Sequence, residues 1–244
     1  QIYDGPSEVH RWALAKRAVG KAKKAAAAAA ERARAETAAA RQETAQARAE
    51  AATAATQSAQ QQAQALAETG ATCLAGDPET AAILLVATGA YQLQEVRRAQ
   101  ARLAARGMSA AIVYLAEPGR FRAPRDPEEA RYVHSDSAVQ ALFPVGRPRV
   151  FVTHTRPEPF LGALRRLDTG PTTTAALGFV NRGGTLDVPG LLFANRSTWA
   201  HVVDAAAGVL GESRDNLLSE AELAAVDGRG DPTAILRAEA GPAS

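Results

Sequence analysis

The feature that most constrains this chain is a change of composition near residue 70. In the 48 residues from Lys21 to Glu68, 23 are alanine, and the only larger apolar side chain is Leu66. Alanine, glutamate, arginine, lysine and glutamine favour helix, so this stretch is predicted to be helical. Because it offers so little apolar area, it cannot build a hydrophobic core of its own. The globular part of the chain is therefore expected to follow it.

Residues 21–70 are interpreted as an Ala-rich linker, either helical or partly disordered. A weak coiled coil is one alternative, although alanine on every face gives a partner helix little to contact. A basic tail that touches nucleic acid through Lys21, Lys23 and Lys24 is another. The net charge of +2 is spread along the chain and does not by itself argue for nucleic acid. We therefore predict no nucleic-acid partner.

From residue 80 onward, apolar runs alternate with helical patterns. Four runs have the length and composition of buried strands, namely AAILLVATG from Ala81, SAAIVYLAEPG from Ser109, RVFVTHT from Arg149 and TTTAALGFVN from Thr172. After the first run, Leu93, Val96 and Leu103 recur at helical spacing, and Gly107 follows as a C-cap. Strands that alternate with helices predict an α/β fold, with a mostly parallel sheet and helices on both faces. The domain is predicted over residues 71–225, followed by a flexible tail, 226–244.

Composition also excludes several classes of protein. Cys73 is the single cysteine, which excludes an internal disulfide and a cysteine-cluster metal site and suits a reducing cytoplasm. No apolar run reaches the roughly 18 residues that span a bilayer, so no membrane partner is predicted. His10 and His134 have no second ligand at metal-binding spacing, so no metal site is predicted.

The candidate site is predicted at the carboxyl ends of the third and fourth strands. The residues expected to face a substrate there are His154, Arg156, Asn181, Arg182, Gly183 and Gly184. Open α/β sheets bind ligands in crevices at this edge. Exposed glycine N–H groups and an arginine fork suit a phosphate or a carboxylate. The alternative is a tight turn with solvated polar residues.

Three stretches carry a resemblance to a known family. ILLVATGAYQLQEVRRAQARLAARGMSAAIVYL resembles the opening of the C-terminal domain of transketolase-like thiamine-diphosphate enzymes. RVFVTHTRPEPFLGAL and GFVNRGGTLDVPGLLFANRSTWAHVV are similar to phosphoketolase stretches, the latter through the spacing of Asn195 and His201. The resemblance covers roughly residues 80–211, and a bacterial branch labelled xylulose 5-phosphate 3-epimerase lies nearest. It implies an accessory C-terminal domain that packs on a homodimer and shapes the approach of a phosphorylated sugar.

The chain departs from the family in ways that limit this expectation. The usual His-Gly is His154-Thr155, and Val180, Asn181 and Arg182 replace the usual Lys and Glu of the Gly-rich turn. The family holds thiamine diphosphate and Mg with a G-D-G run, a downstream Asn and a buried Glu. The nearest match to that run, Gly228-Arg229-Gly230-Asp231, is not G-D-G. The resemblance therefore implies both cofactors for the full-length enzyme but none for the isolated chain, which is predicted to be inactive.

The first 20 residues carry a second resemblance. The stretch from Asp4 to His10, DGPSEVH, resembles the C-terminal tail motif of acyl-CoA dehydrogenases. This resemblance implies that Asp4 is the base that removes the substrate α-proton and that Ser7 and Glu8 lie beside FAD. A helix N-terminus with Pro6 in its first turn explains the same letters structurally.

Three hypotheses follow for the whole chain. The first is a fragment of a transketolase- or phosphoketolase-like enzyme of sugar-phosphate metabolism, whose partners are the remaining domains of that enzyme. The second is the tail of an FAD-dependent acyl-CoA dehydrogenase fused to a binding module, and the third is an artefactual fusion of two genes. The coding sequence upstream of Gln1 discriminates between them, because it would encode either thiamine-binding domains or a dehydrogenase body.

Overall fold

The computed structural model describes the backbone of residues 5–180 and 185–236, and the side chains of these ranges from residue 11 onward. It divides into two compact units between Gln60 and Gln61. Each unit is described by itself.

The Ala-rich segment is helical. Helix α1 runs over Gly5–Thr69, and every side chain from 11 to 60 is exposed. Threonine is a weak helix former, but inside a helix its hydroxyl can donate to the carbonyl four residues earlier. The Thr37 and Thr44 hydroxyls donate to the carbonyls of Ala33 and Ala40, each four residues earlier. Of the two predicted forms of this segment, the structure therefore has the helix.

The second unit is built on a five-stranded sheet. Its strands are β1 (Ala71–Ala75), β2 (Ile83–Thr88), β3 (Ala110–Leu115), β4 (Arg149–Thr153) and β5 (Thr174–Leu177), in the spatial order β1-β3-β2-β4-β5. Strands β2 to β5 pair in parallel, and β1 pairs antiparallel with β3. The four predicted strands and the mostly parallel sheet are confirmed. Strand β1 is a fifth strand, at the edge of the sheet, that the apolar runs do not indicate.

Helices cover both faces of this sheet, as predicted. They are α2 (Ala90–Ala105), α3 (Asp136–Leu142), α4 (Pro157–Ala163), α5 (Val188–Ala194), α6 (Trp199–Leu210), α7 (Glu220–Val226) and α8 (Thr233–Leu236). Alternate residues of β2 enter opposite cores. Ile83, Leu85 and Ala87 join a core with α2 and α6, while Leu84 and Val86 join one with Phe151 and Phe160.

The ends of these helices carry residues that commonly cap helices. Gly107 has a φ of 76° and follows α2, and the N–H of Met108 donates to the Leu103 carbonyl, so the helix ends in a left-handed glycine. Ser135 caps α3 by accepting the N–H of Ala138, and Pro157 is the first residue of α4. These short sequence signals thus fix where the helices meet the loops.

The end of the domain lies beyond the predicted boundary at 225. Ile235 in α8 is fully buried, and its carbonyl accepts the indole N–H of Trp199 at 2.9 Å. Residues up to Leu236 therefore belong to the packed unit, which corrects the flexible tail predicted from 226. Residues 237–244 lie outside the described part.

No helix among the described residues is both long enough and apolar enough to cross a bilayer.

Candidate functional site

The candidate site lies at the carboxyl ends of the parallel strands. From β2 the chain moves to β3 on one side, and it then returns to place β4 on the other side of β2. The strand order therefore reverses between β2 and β4, whose last residues Thr88 and Thr153 face each other in register. A crevice at such a switch point is the usual ligand site of an open α/β sheet.

His154 is the first residue after β4 and is exposed at this edge. Its Nδ1 lies 3.1 Å from the carbonyl oxygen of Thr88, so the imidazole is tied to the end of the neighbouring strand. Arg156 follows two residues later, also exposed, just before α4. The structure thus places both residues at the edge where the sequence predicts them.

Gly89 links β2 to α2 and lies next to the imidazole of His154. Its φ is 110°, a value that residues with a side chain rarely adopt. A Cβ at this position would meet the Gln92 amide oxygen, and it would lie 3.2 Å from the Nδ1 of His154. Only glycine therefore fits, which is the physical reason for the Thr-Gly pair at the end of this strand.

The same edge holds a polar group with no partner. Thr88 is 6% exposed, and its hydroxyl has no hydrogen-bond partner among the described residues. The Thr153 hydroxyl, opposite it in register, is 3.0 Å from that of Thr155. A buried hydroxyl without a partner costs free energy, so an additional polar group at this edge would be bound favourably.

Strand β5 ends in a tightly held segment. A Cβ on Gly178 would meet the carbonyl oxygen of Thr155, and it would lie 2.8 Å from the Thr153 methyl group. Two residues on, the N–H of Val180 donates to Asn195 Oδ1 at 2.7 Å. Asn195 is itself buried, and its amide donates to the Leu191 carbonyl. This asparagine anchors the backbone immediately before the Gly-rich turn.

The other predicted site residues are less fully described. Asp4, Asn181, Arg182, Gly183 and Gly184 lie outside the described residues. Ser7 and Glu8 fall within α1, but their side chains lie outside the described part. Of the predicted site residues, His154 and Arg156 are the two whose side chains the structure describes.

A second concave region lies between α2, α5, α6 and α8. This cavity of about 300 Å³ is lined in part by Tyr91, Glu95, Thr198 and Ile235. Its buried polar groups already have partners, because Glu95 accepts the Trp199 N–H at 2.7 Å and an Arg98 N–H at 2.9 Å. The cavity is therefore a weaker candidate than the strand edge.

His201 is buried in α6 and packs rather than reacts. Its Nδ1 is 2.8 Å from the Thr198 hydroxyl, and its ring contacts Phe193 edge-on. Burial, helped by the charge of Arg196, lowers the pKa of His201 to about 4, although a hydrogen bond to the Val226 backbone opposes the shift. The imidazole is therefore neutral near pH 7.

This depressed pKa predicts acid sensitivity. The unfolded chain takes up a proton at His201 near pH 6.5, whereas the folded chain does so near pH 4. The stability linked to His201 is therefore fully present above pH 6.5. As the pH falls toward 4 it is lost, and the free energy of unfolding is lower by about 2 kcal/mol at pH 5.

Urea unfolding at pH 7 and pH 5 measures this loss. A His201→Gln variant, less stable at pH 7, should show a smaller difference between the two pH values; an equal difference would contradict the assignment.

The cofactors that the resemblance implies, thiamine diphosphate and Mg, do not fit the described residues. No group of three or more His, Cys, Asp or Glu side chains in ranges 11–180 and 185–236 could hold a metal ion. The strand edge offers threonine hydroxyls, an imidazole and a guanidinium, which suit an anion rather than Mg.

Comparison with known proteins gives matches only among solved structures. No family model matches the chain, and no curated protein matches its sequence.

The similar structures include a transketolase from Leishmania mexicana, at 17% identity and a TM-score of 0.44 over 60% of this chain and 18% of that chain. A Pichia stipitis transketolase in complex with sedoheptulose 7-phosphate has 20% identity and a TM-score of 0.42 over 59% of this chain and 18% of that chain. A Campylobacter jejuni transketolase has 12% identity and a TM-score of 0.41 over 57% of this chain and 18% of that chain. The chain thus spans less than a fifth of the length of each of these transketolases.

Proposed function

We propose that this chain supplies the accessory C-terminal α/β domain of a transketolase- or phosphoketolase-like enzyme of sugar-phosphate metabolism. The observation that carries the proposal is the meeting of three stretches at one edge of the sheet. Gly89 follows β2, His154 follows β4, and Gly178 follows β5. These residues belong to the three stretches that resemble the family, and they are far apart in sequence.

The chemistry of this edge supports a role beside an anionic substrate. Arg156 is exposed there, and in the sequence Arg182 comes two residues after Val180, whose N–H donates to Asn195. Guanidinium groups bind phosphate with charge-assisted hydrogen bonds. In the parent enzyme, which we place in the cytoplasm, the other domains of a homodimer would hold thiamine diphosphate and Mg. This domain would contribute packing and part of the approach for a phosphorylated sugar.

The proposal predicts that the isolated chain binds neither thiamine diphosphate nor flavin. Titration calorimetry of the purified chain with thiamine diphosphate and Mg should be flat, because the diphosphate and metal ligands are supplied elsewhere. An active transketolase titrated under the same conditions is the positive control. A micromolar binding curve for this chain would contradict the accessory role.

Arg182→Ala in the complete parent enzyme tests the anion role. We expect weaker substrate saturation by ~1–3 kcal/mol, or about 5- to 150-fold in KM, the scale of a lost charge-assisted hydrogen bond. Stability should change by less than about 1 kcal/mol, as for most surface substitutions. Arg106→Ala is the matched control, because Arg106 is exposed at the end of α2 that is farthest from Gly89.

The opposite result would identify a structural turn. If Arg182→Ala left KM unchanged but lowered the melting temperature sharply, the anion role would be refuted.

A further inference from the structure

Helix α1 carries a seven-residue repeat on an exposed face. Written as heptads abcdefg, its a and d positions between residues 37 and 54 are all alanine or threonine. They are Thr37, Ala40, Thr44, Ala47, Ala51 and Ala54, and we call them the small-residue face. All six side chains are exposed. A strict repeat of seven on a 3.6-residue helix is the pattern of a left-handed coiled coil.

Charged residues flank this face with the same period. Glu36 and Glu43 occupy g positions, while Arg41 and Arg48 occupy e positions. For Glu43 and both arginines, the positions three and four residues away hold only alanine, threonine or glutamine. These three charges therefore have no opposite charge at the spacings that pair within a helix. Opposite charges on a partner outside the helix could form ion pairs with them.

The order of the charges selects both the partner and its direction. In a parallel in-register pair, each g residue meets the e residue of the following heptad on the other helix. Glu36 would then meet Arg41 of the second copy, and Glu43 would meet its Arg48. In an antiparallel pair, g positions face g positions, so glutamates would oppose glutamates and arginines would oppose arginines. The charge pattern is thus self-complementary in one orientation.

The face itself is compatible with close contact between helices. The hydroxyls of Thr37 and Thr44 donate to carbonyls of their own helix at 2.7 and 2.8 Å, so neither would be left without a partner. Small side chains let two helix axes approach toward the short end of the usual 8–10 Å range. They also bury little apolar area, so the ion pairs supply much of the attraction. Such an association is expected to weaken with salt.

We propose that residues 30–58 of α1 pair with the same segment of a second copy of this chain as a parallel, in-register coiled coil. The occupant of the small-residue face is therefore a second copy rather than nucleic acid or an unrelated protein. This inference does not rest on the proposed function, because it concerns residues outside the sheet unit.

Charge reversal with rescue tests the proposal. Sedimentation equilibrium of the full chain at low salt should show a mass rising with concentration toward twice 25.5 kDa. The variants Glu36→Arg/Glu43→Arg and Arg41→Glu/Arg48→Glu should each associate at least about tenfold more weakly, since like charges then face each other. An equimolar mixture of the two should regain association, because the mixed pair restores every opposite-charge contact.

A control variant adds positive charge away from the interface. Gln42→Arg/Ala49→Arg also adds two arginines, but at f positions that point away from the small-residue face. It should associate like the wild type, and circular dichroism should show equal helicity in all variants. The proposal is overturned if the wild-type chain stays monomeric up to about 1 mM, if both reversal variants still associate like the wild type, or if their mixture shows no rescue.

A disulfide reports the orientation. Ala33→Cys, at a d position and in a Cys73→Ser background, should cross-link rapidly between copies if the helices are parallel and in register. An antiparallel pair centred on residue 45 would separate the two cysteines by about 36 Å along the axis. Association without this cross-link would overturn the parallel arrangement.

Discussion

Replacing Trp199 by alanine is expected to destabilise the sheet unit by about 3–5 kcal/mol, the range for removing a large buried aromatic side chain. Trp199 is 4% exposed. Its indole N–H donates to the Ile235 carbonyl, and the guanidinium of Arg102 lies 4.7 Å from its ring centroid. The variant would leave a cavity, a carbonyl without its donor and a cation without its aromatic face. Scanning calorimetry should show the melting temperature lower by roughly 10 °C or more.

The chain provides its own control for this experiment. Its second tryptophan, Trp12, is 66% exposed on α1. Trp12→Ala should change stability by less than about 0.5 kcal/mol, as is usual for surface positions. Equal effects of the two substitutions would refute the assignment of Trp199 as the residue that joins α6, α2 and α8.

Replacing Glu222 by alanine is expected to cost about 3–5 kcal/mol, because it removes a carboxylate that makes two hydrogen bonds to Arg102 in a poorly solvated position. The two side chains form two hydrogen bonds, at 2.7 and 2.8 Å, and both are almost buried. Burial alone would raise the pKa of Glu222, but hydrogen bonds from Arg102 and the Ser219 N–H outweigh it and lower the pKa. Glu222 also completes the capping box of α7 with Ser219.

Urea unfolding measures this effect, and Glu220→Ala is the matched control. Glu220 lies in the same first turn of α7 but is exposed. Its removal should cost less than about 1 kcal/mol through the helix dipole. A loss at Glu222 no larger than the loss at Glu220 would show that the ion pair contributes little.

Most elements of the sheet unit can be predicted from the sequence, because the residues of each element indicate a strand or a helix by themselves. The buried strand from Ile83 is recognisable from its apolar run, and helix α2 is recognisable from its helical spacing and from Gly107, which follows it. Strand β1 does not, because ATCLA is short and mostly small, and it is stabilised by pairing with β3 rather than by local propensity. Helix α8 is likewise only four residues long, and its place in the core depends on the distant Trp199.

The candidate site, too, can be predicted from the sequence only in part. His154 and Arg156 are predictable, since a polar residue after a buried strand must lie at the carboxyl edge of a parallel sheet. The role of Asn195 as an anchor is not, because its partner Val180 lies 15 residues away and the hydrogen bond depends on how α5 packs. The unpartnered hydroxyl of Thr88 is also a property of its surroundings, which no local pattern of residues encodes.

The exposed face of α1 has a thermodynamic consequence. Residues 11–60 bury no side chain in the monomer, so melting them uncovers little apolar surface and adds little to the heat-capacity change. Their ellipticity should decline gradually on heating, as in an isolated peptide helix, while the sheet unit absorbs its heat in one cooperative step. For a dilute sample, a melting temperature fitted to far-UV ellipticity would average two unrelated processes, whereas calorimetry would report one.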